Sequence, residues 1–511
     1  MSAVVSLSLG QLAGEQQSGL YVFRGVPYAR PPTGALRFRA PEPPVPWSGV
    51  RPALTPGPTA PQVLGLMRDL VAQDEDCLQL NVWSPKLTGS RPVLVFIHGG
   101  AFTSGACTHP MYDGGALARR GDVVVVSFNY RLGALGFADL SALGDERFGA
   151  DSNVGLRDQL AALRWVQAHI ADFGGDPGQV TVFGQSAGAM SVAALLTSPA
   201  SEGLFTRAIA QSGAGHHALA RSQAAGVAER LLDALGIGPH ELARLRELPA
   251  AAIAAAQAAC ITTRTHIGVP EKPLHNGAMG LMPVIDGDLL PELPALAAAR
   301  GAGSDVPLLL GSTRDEQRFW IFMSDPNKRS LDDDALLRVL DARVPGRARE
   351  VCAAYRALLA RPGLLPWHLF SAIETDRVFA VPAQRLSEAR VRAPAAVPAG
   401  TYLYHFDWRG PLFEGELGAC HTMDVPFVLG TVDEGFGRVF TGGGAAARAL
   451  ADRMMDAWIA FARSGDPSCE KLGAWPRFSA ASDACCMRLA QHCELGPVPH
   501  HTLHGMWEDL V

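Results

Sequence analysis

The chain is short of the features that would place it in several large classes. Across its 511 residues no apolar run approaches the roughly 18 that a membrane-spanning helix requires. No basic block stands out, and a net charge of −6 with a pI near 6.2 argues against nucleic acid as a partner. The opening segment, residues 1–17, has a short apolar stretch with no Lys or Arg ahead of it, so it reads as a first strand and not as an export signal. Nine cysteines, at 77, 107, 260, 352, 420, 469, 485, 486 and 493, are spread thinly, and no C-x-x-C pair occurs, which argues against zinc. Without an export signal, reduced thiols and a cytoplasmic location are the expectation. Charged residues are only 18% against 48% hydrophobic, a globular and not a disordered balance. Abundant Ala, Gly and Pro suggest a GC-rich bacterial genome.

What is present is alternation. Residues 92–97 form a short continuous apolar run, read as a buried strand, and 122–127 form a second. Leu156, Leu160, Leu163, Val166 and Ile170 recur at helical spacing within 154–170. Residues 179–183 read as a strand that runs straight into Gly184, and 187–196 as the helix that follows. Further strands are expected at 205–210, 306–311 and 401–406. Strands alternating with helices predict a mostly parallel sheet covered on both faces, an α/β unit spanning 1–511. The Ala-rich stretches 218–260 and 331–360 read as helical excursions, and the Pro-rich segments 41–62 and 391–399 as loops.

Between the strand at 179–183 and its helix lies Gly184-Gln185-Ser186-Ala187-Gly188. A G-x-S-x-G segment carries chemistry in that context. The turn is so tight that side chains at the glycine positions would clash, and the serine at its apex takes strained angles with its hydroxyl presented. The next helix then points its N-terminus at the reacting centre. A serine hydroxyl is a poor nucleophile unaided. It needs a base, a carboxylate to orient that base, and N–H donors for the oxyanion. His98-Gly99-Gly100-Ala101-Phe102, just past a predicted strand, has the small residues such donors need, although the pattern also suits a plain glycine turn.

Longer motifs accompany these: FRGVPYARPPTGALRFRAPEP (23–43), EDCLQLNVWSP (75–85), NYRLGALGF (129–137), QSG (211–213), PVIDG (283–287), LLLGSTRDEQRFW (308–320), GACHTMDVPFVLG (418–430) and AWIAFARSGDP (457–467). In this order, nearly end to end, the sequence resembles the type-B carboxylesterases. This branch of the α/β hydrolases contains bacterial p-nitrobenzyl esterases, animal carboxylesterases and cholinesterases. The resemblance implies an α/β-hydrolase fold, with Ser186 as nucleophile, Glu316 as the acidic member and His421 as base. Asp315, one residue early, competes with Glu316. His216, His217 and His405 fall outside the matching motif and are expected on the surface or in packing. The implied oxyanion donors are the backbone N–H groups of Gly100, Ala101 and Ala187. Ser212 resembles a serine that helps hold the Glu–His pair, though a structural serine at a strand end fits as well. Arg37–Glu75 and Arg131–Asp158 are implied ion pairs with a supporting role. No metal or organic cofactor is implied.

The sequence departs from the family pattern in four places. Gln185 stands where many members have Glu, which removes a charge beside Ser186. The oxyanion motif is GGA, not GGG, a variation associated in this superfamily with bulky and tertiary alcohol esters. Residues 48–74 contain no Trp, Tyr or Phe, so the aromatic grip on a quaternary ammonium that cholinesterases use is not expected. The same loop offers Cys77 no partner, whereas exported relatives usually form that disulfide. The expected activity is hydrolysis of short- to medium-chain carboxylic esters, with a lipase or a carbamate or toxin-ester hydrolase as the alternative. A catalytically silent scaffold is the non-enzyme alternative, disfavoured because all three triad residues are present. The expected partners are a small-molecule ester and water, in a monomer or weak homo-oligomer. Substrate choice is expected to depend on helical excursions near 218–280 and 320–375.

Overall fold

The structure, a computed structural model, describes residues 2–63, 72–143, 148–260, 279–394, 399–479 and 485–507, with the backbone alone at 266–267 and 274–275. Among the described residues one 13-stranded sheet organises the chain. Its strands are β1 (Ser2–Leu7), β2 (Gly10–Gln17), β3 (Leu20–Pro27), β4 (Val50–Pro52), β5 (Gln79–Ser84), β6 (Arg91–Ile97) and β7 (Val124–Phe128). They continue with β8 (Gly175–Gln185), β9 (Arg207–Gln211), β10 (Leu308–Thr313), β11 (Thr401–Phe406), β12 (Cys485–Leu489) and β13 (Glu494–Pro497). The spatial order is β1-β2-β3-β5-β7-β6-β8-β9-β10-β11-β12-β13, with β4 paired to β2. From β7 to β12 every neighbour is parallel, and the two ends of the sheet are antiparallel apart from the parallel β2–β4 pair. The mostly parallel α/β sheet expected from the alternation is present.

The central strands are apolar on both faces because both faces are covered. Val93, Val95 and Ile97 of β6 join one buried cluster, while Leu94 and Phe96 join the other. Helices α1 (Val154–His169) and α2 (Ala187–Thr197) pack into the first cluster, and α5 (Gly444–Ser464) into the second. Helices α3 (Pro366–Thr375) and α4 (Val381–Arg392) lie between them in sequence and are joined by a π-turn at Asp376–Ala380. Pro382 has no N–H to donate back into that turn, which fits a wider turn there.

Parallel pairing aligns the ends of β6, β8, β9 and β10. Ile97 is in register with Gly184, Gln185 with Gln211, and Gln211 with Gly311. The loops that follow these four strands therefore emerge side by side. Two readings need correction. The Pro-rich segment 41–62 is not wholly loop, because Val50–Pro52 adds to the edge of β2, where a proline is tolerated. The excursion from 218 opens with a short strand, Leu219–Ala220, paired to Val284–Ile285. Most of its stretch 261–278 falls outside the described residues.

Candidate active site

Ser186 stands at the sharp bend between β8 and α2, with φ 58° and ψ −126°. Two glycines let this bend form. A Cβ on Gly188 would lie 2.0 Å from the Ile97 carbonyl oxygen, and one on Gly184 would lie 2.6 Å from the Gly188 carbonyl carbon. The sheet ladder continues past the strands and holds the bend: the Ser186 N–H donates to the Gln211 carbonyl at 2.8 Å, and the Ser212 N–H to the Gly311 carbonyl at 2.8 Å.

The segment 98–102 packs against this bend. A Cβ on Gly99 would stand 2.9 Å from the Ser186 Cβ. Gly100, Ala101 and Phe102 all have positive φ, at 124°, 53° and 60°. Among the described residues the N–H groups of Gly100, Ala101 and Ala187 have no acceptor in the protein. Beneath the segment, the buried His98 stacks on Tyr130 at 4.5 Å, and its Nδ1 lies 2.8 Å from the Gly99 carbonyl. Burial pushes the His98 imidazole down to about 4.

His421 and Glu316 come together from the loops after β11 and β10. His421 Nδ1 lies 2.5 Å from Glu316 Oε2, and both side chains are buried. Glu316 Oε1 accepts the Thr313 N–H at 2.7 Å, and the His421 N–H donates to the Glu316 carbonyl at 3.3 Å. The other ring nitrogen, Nε2, lies 3.1 Å from the Gln185 amide nitrogen, which donates to it when Nδ1 carries the ring proton. Among the described residues Ser186 Oγ makes no hydrogen bond to His421, so the resting imidazole faces its neighbour in the bend. Three aromatic rings enclose it: Trp320 at 4.6 Å, Phe379 at 4.9 Å and Phe319 at 6.3 Å between centroids.

Asp315 does not compete for His421. It pairs with Arg318 and Arg314 and accepts the Ala419 N–H. Burial alone would raise its carboxyl, but Arg318 and Arg314 outweigh that and hold it below the ordinary value. Ser212 is buried beside the site, but its hydroxyl has no partner among the described residues, so here it does not hold the Glu316–His421 pair. His216 and His217 are core residues and not surface ones, with burial pushing them down to about 3 and about 4. Both expected ion pairs are made. Arg37 bonds Glu75 at 2.7 and 2.5 Å, and Arg131 bonds Asp158 at 2.8 and 2.6 Å. Trp320, Phe379, Gln211 and Asp424 were not read from the sequence as parts of the site. Gln211, Trp320 and Asp424 lie within the QSG, LLLGSTRDEQRFW and GACHTMDVPFVLG motifs, whereas nothing in the sequence marks Phe379. Among the described residues no cluster of His, Cys, Asp and Glu could hold a metal ion, and no helix is long and apolar enough to cross a membrane.

Comparison with known proteins finds likeness over nearly the whole chain. The carboxylesterase family model matches residues 1–495. The chain is 38% identical to para-nitrobenzyl esterase of Bacillus subtilis (strain 168), over 93% of this chain and 92% of that protein. It is 39% identical to phenmedipham hydrolase of Pseudarthrobacter oxydans, over 94% of each. A carboxylesterase structure from Geobacillus stearothermophilus superposes with a TM-score of 0.85 at 36% identity, covering 99% of this chain and 100% of that one. A strand-end serine bend, a carboxylate-bound histidine and this extent of likeness lead to one conclusion: the chain belongs to the carboxylesterase family and is a carboxylic ester hydrolase.

Proposed function

We propose that Ser186, Glu316 and His421 carry the hydrolysis, with the N–H groups of Gly100, Ala101 and Ala187 as the oxyanion site. The observation that supports this best is the 2.5 Å contact of His421 Nδ1 with Glu316, in the loops beside a serine held at φ 58°. In this reading His421 leaves the Gln185 amide and turns Nε2 to the Ser186 hydroxyl. Ser186 Oγ attacks the ester carbonyl as its proton passes to Nε2. The carbonyl oxygen becomes an oxyanion on the three N–H groups. Each such donor is worth about 10²–10³ in rate. The imidazolium then protonates the leaving alcohol, with Glu316 fixing the ring and balancing its charge. Water, deprotonated by His421, attacks the acyl-enzyme and releases the acid.

Initial rates on p-nitrophenyl esters from acetate to palmitate, for the wild type beside Ser186→Ala, test the assignment. Fastest hydrolysis at short and medium chains, abolished in the variant, is expected. A preference for palmitate favours a lipase instead, and a fully active variant removes Ser186 from the chemistry. The GGA segment supports acceptance of bulky alcohols, which tert-butyl acetate checks directly. The likeness to phenmedipham hydrolase favours carbamates as a second substrate class, checked by carbamate turnover at the same site and its loss in Ser186→Ala.

A further inference from the structure

Three residues beyond His421, the same turn carries a carboxylate that this reading leaves unused. Asp424 is fully buried. Its Oδ2 accepts from the Gln211 amide at 2.8 Å and from the Tyr404 hydroxyl at 2.9 Å. Its Oδ1 is buried with no partner among the described residues. The titratable groups that face it are Glu316, His421, Tyr404 and, from the segment at Pro110–Tyr112, Tyr112. None of these is a fixed cation. Burial first, then the charge on Glu316, push the Asp424 carboxyl up to about 6 against its two hydrogen bonds and the charge that His421 can carry.

Burying a carboxylate with neutral donors alone is unfavourable, and an uncharged side chain of the same shape would cost the fold less. Its connections run to the reacting groups. Gln211 donates to Asp424 through its side chain and accepts the Ser186 N–H at its carbonyl. Trp458 Nε1 donates to the other end of the same amide at 3.3 Å, which fixes its orientation. The Asp424 carbonyl accepts from Phe427 and Val428 and so starts the short helix after the His421 turn.

We propose that Asp424 is a positioning residue of the hydrolysis, a buried charge without a counter-ion that stabilises the imidazolium formed at His421. The proposal rests on the assignment of Ser186, Glu316 and His421 made above. An uncompensated charge at a working site trades fold stability for rate, so its neutral isostere should move the two in opposite directions. The test is Asp424→Asn, which keeps the shape and removes the charge. At pH 8 the melting temperature is expected to rise, while kcat on p-nitrophenyl acetate falls about tenfold or more with KM little changed. The gap in melting temperature should close near pH 4, where Asp424 of the wild type is also neutral. A lower melting temperature, or a variant that does not fold, overturns the proposal, because it makes Asp424 a purely structural partner of Gln211 and Tyr404. An unchanged kcat overturns it too. If Ser186→Ala is inactive and Asp424→Asn fully active, this proposal alone fails. If Ser186→Ala is active, the assignment beneath it fails first.

Discussion

Gly188→Ala sets two effects against each other, and their magnitudes decide the outcome. Gly188 lies in the first turn of α2, so an alanine gains about 1 kcal/mol of helix propensity. The added methyl would stand 2.0 Å from the Ile97 oxygen, 2.8 Å from the Ile97 carbon and 2.9 Å from the His98 oxygen. All three are backbone atoms, so no flexible side chain can turn away. An ordinary contact requires the start of α2 to retreat by about 1 Å or more from the segment 98–102, and overpacking of this kind costs about 1–3 kcal/mol. The retreat carries Ser186 and the Ala187 N–H away from the Gly100 and Ala101 N–H groups proposed for the oxyanion. A displacement of about 1 Å in a reacting group costs about 10²-fold, or about 2.7 kcal/mol of barrier. The clash therefore outweighs the propensity. We expect kcat/KM on p-nitrophenyl acetate to fall about 100-fold or more, with a lower melting temperature. Gly226→Ala is the matched control. It also lies within a helix, Arg221–Leu235, but its methyl would meet only the flexible end of Arg230 at 3.6 Å. That variant should be fully active and as stable as the wild type or more so. A Gly188→Ala enzyme with rates within a few-fold of wild type and an undiminished melting temperature would refute the close-approach argument.

Other measurements probe different parts of the same frame. Asp158→Asn leaves the buried Arg131 guanidinium without its counter-charge and should destabilise the fold by about 3–5 kcal/mol in denaturant unfolding, whereas the double replacement Arg131→Met with Asp158→Leu should recover much of that loss. Choline esters should be hydrolysed no better than neutral isosteres such as 3,3-dimethylbutyl acetate, since residues 48–74 hold no aromatic ring for the cation; a preference above about tenfold, the reach of a cation–π contact, would contradict this. The pH dependence of the Asp424→Asn comparison has a worked sign. Asp424 binds its proton more tightly folded, at about 6, than at its ordinary value of 3.8. Its contribution to stability is present in full below about pH 4 and is lost as pH rises through 6, on the order of 3 kcal/mol in all. Thermal unfolding from pH 4 to 8 should show the variant's advantage opening across that window, and a constant gap would refute it.

The parts of the fold that were legible have continuous patterns and clean boundaries. The strand at 401–406 is found at those residues because Gly400 precedes it and β-branched and aromatic residues dominate it. The strand expected from 122 begins at Val124, since Asp122 takes φ 42° to cap the helix Gly115–Gly121 and cannot join the ladder. Short pairings such as Val50–Pro52 depend on a distant partner, so no local pattern reveals them. Ser186 was legible from its own strand–turn–helix context, whereas Glu316 and His421 were named through the resemblance and not from any local pattern. Asp424 lies inside the GACHTMDVPFVLG motif without being marked by it, because its meaning depends on Gln211 and Tyr404, 213 and 20 residues away in sequence. Phe379 reaches His421 from a π-turn that periodicity does not mark. The partner expected for Ser212 came from resemblance, and the observed geometry gives Glu316 the Thr313 N–H instead.

Among the described residues five of the twelve non-glycine positions with positive φ lie where the chemistry is proposed. Ala101, Phe102, Ser186, Ser212 and Thr422 all have positive φ without being glycine, a conformation that costs about 1–2 kcal/mol each for an L-residue. A fold keeps such residues only where surrounding structure over-determines them. Here the determinants are visible. The Phe102 carbonyl is held by the Gly133 N–H at 2.7 Å, and the N–H groups of Ser186 and Ser212 extend the ladder of β8, β9 and β10 beyond their regular ends. Thr422 follows His421, whose own N–H is tied to the Glu316 carbonyl. The rigid parallel strands thus impose conformations that the loop residues would not choose, which fixes the backbone around Ser186 and leaves only the His421 ring to turn from Gln185 towards it. Asp424 extends this logic from dihedral angles to charge. The same covered sheet that holds Ser186 and Ser212 in strained backbone also holds the Asp424 carboxylate out of water, with no arginine or lysine among the groups that face it.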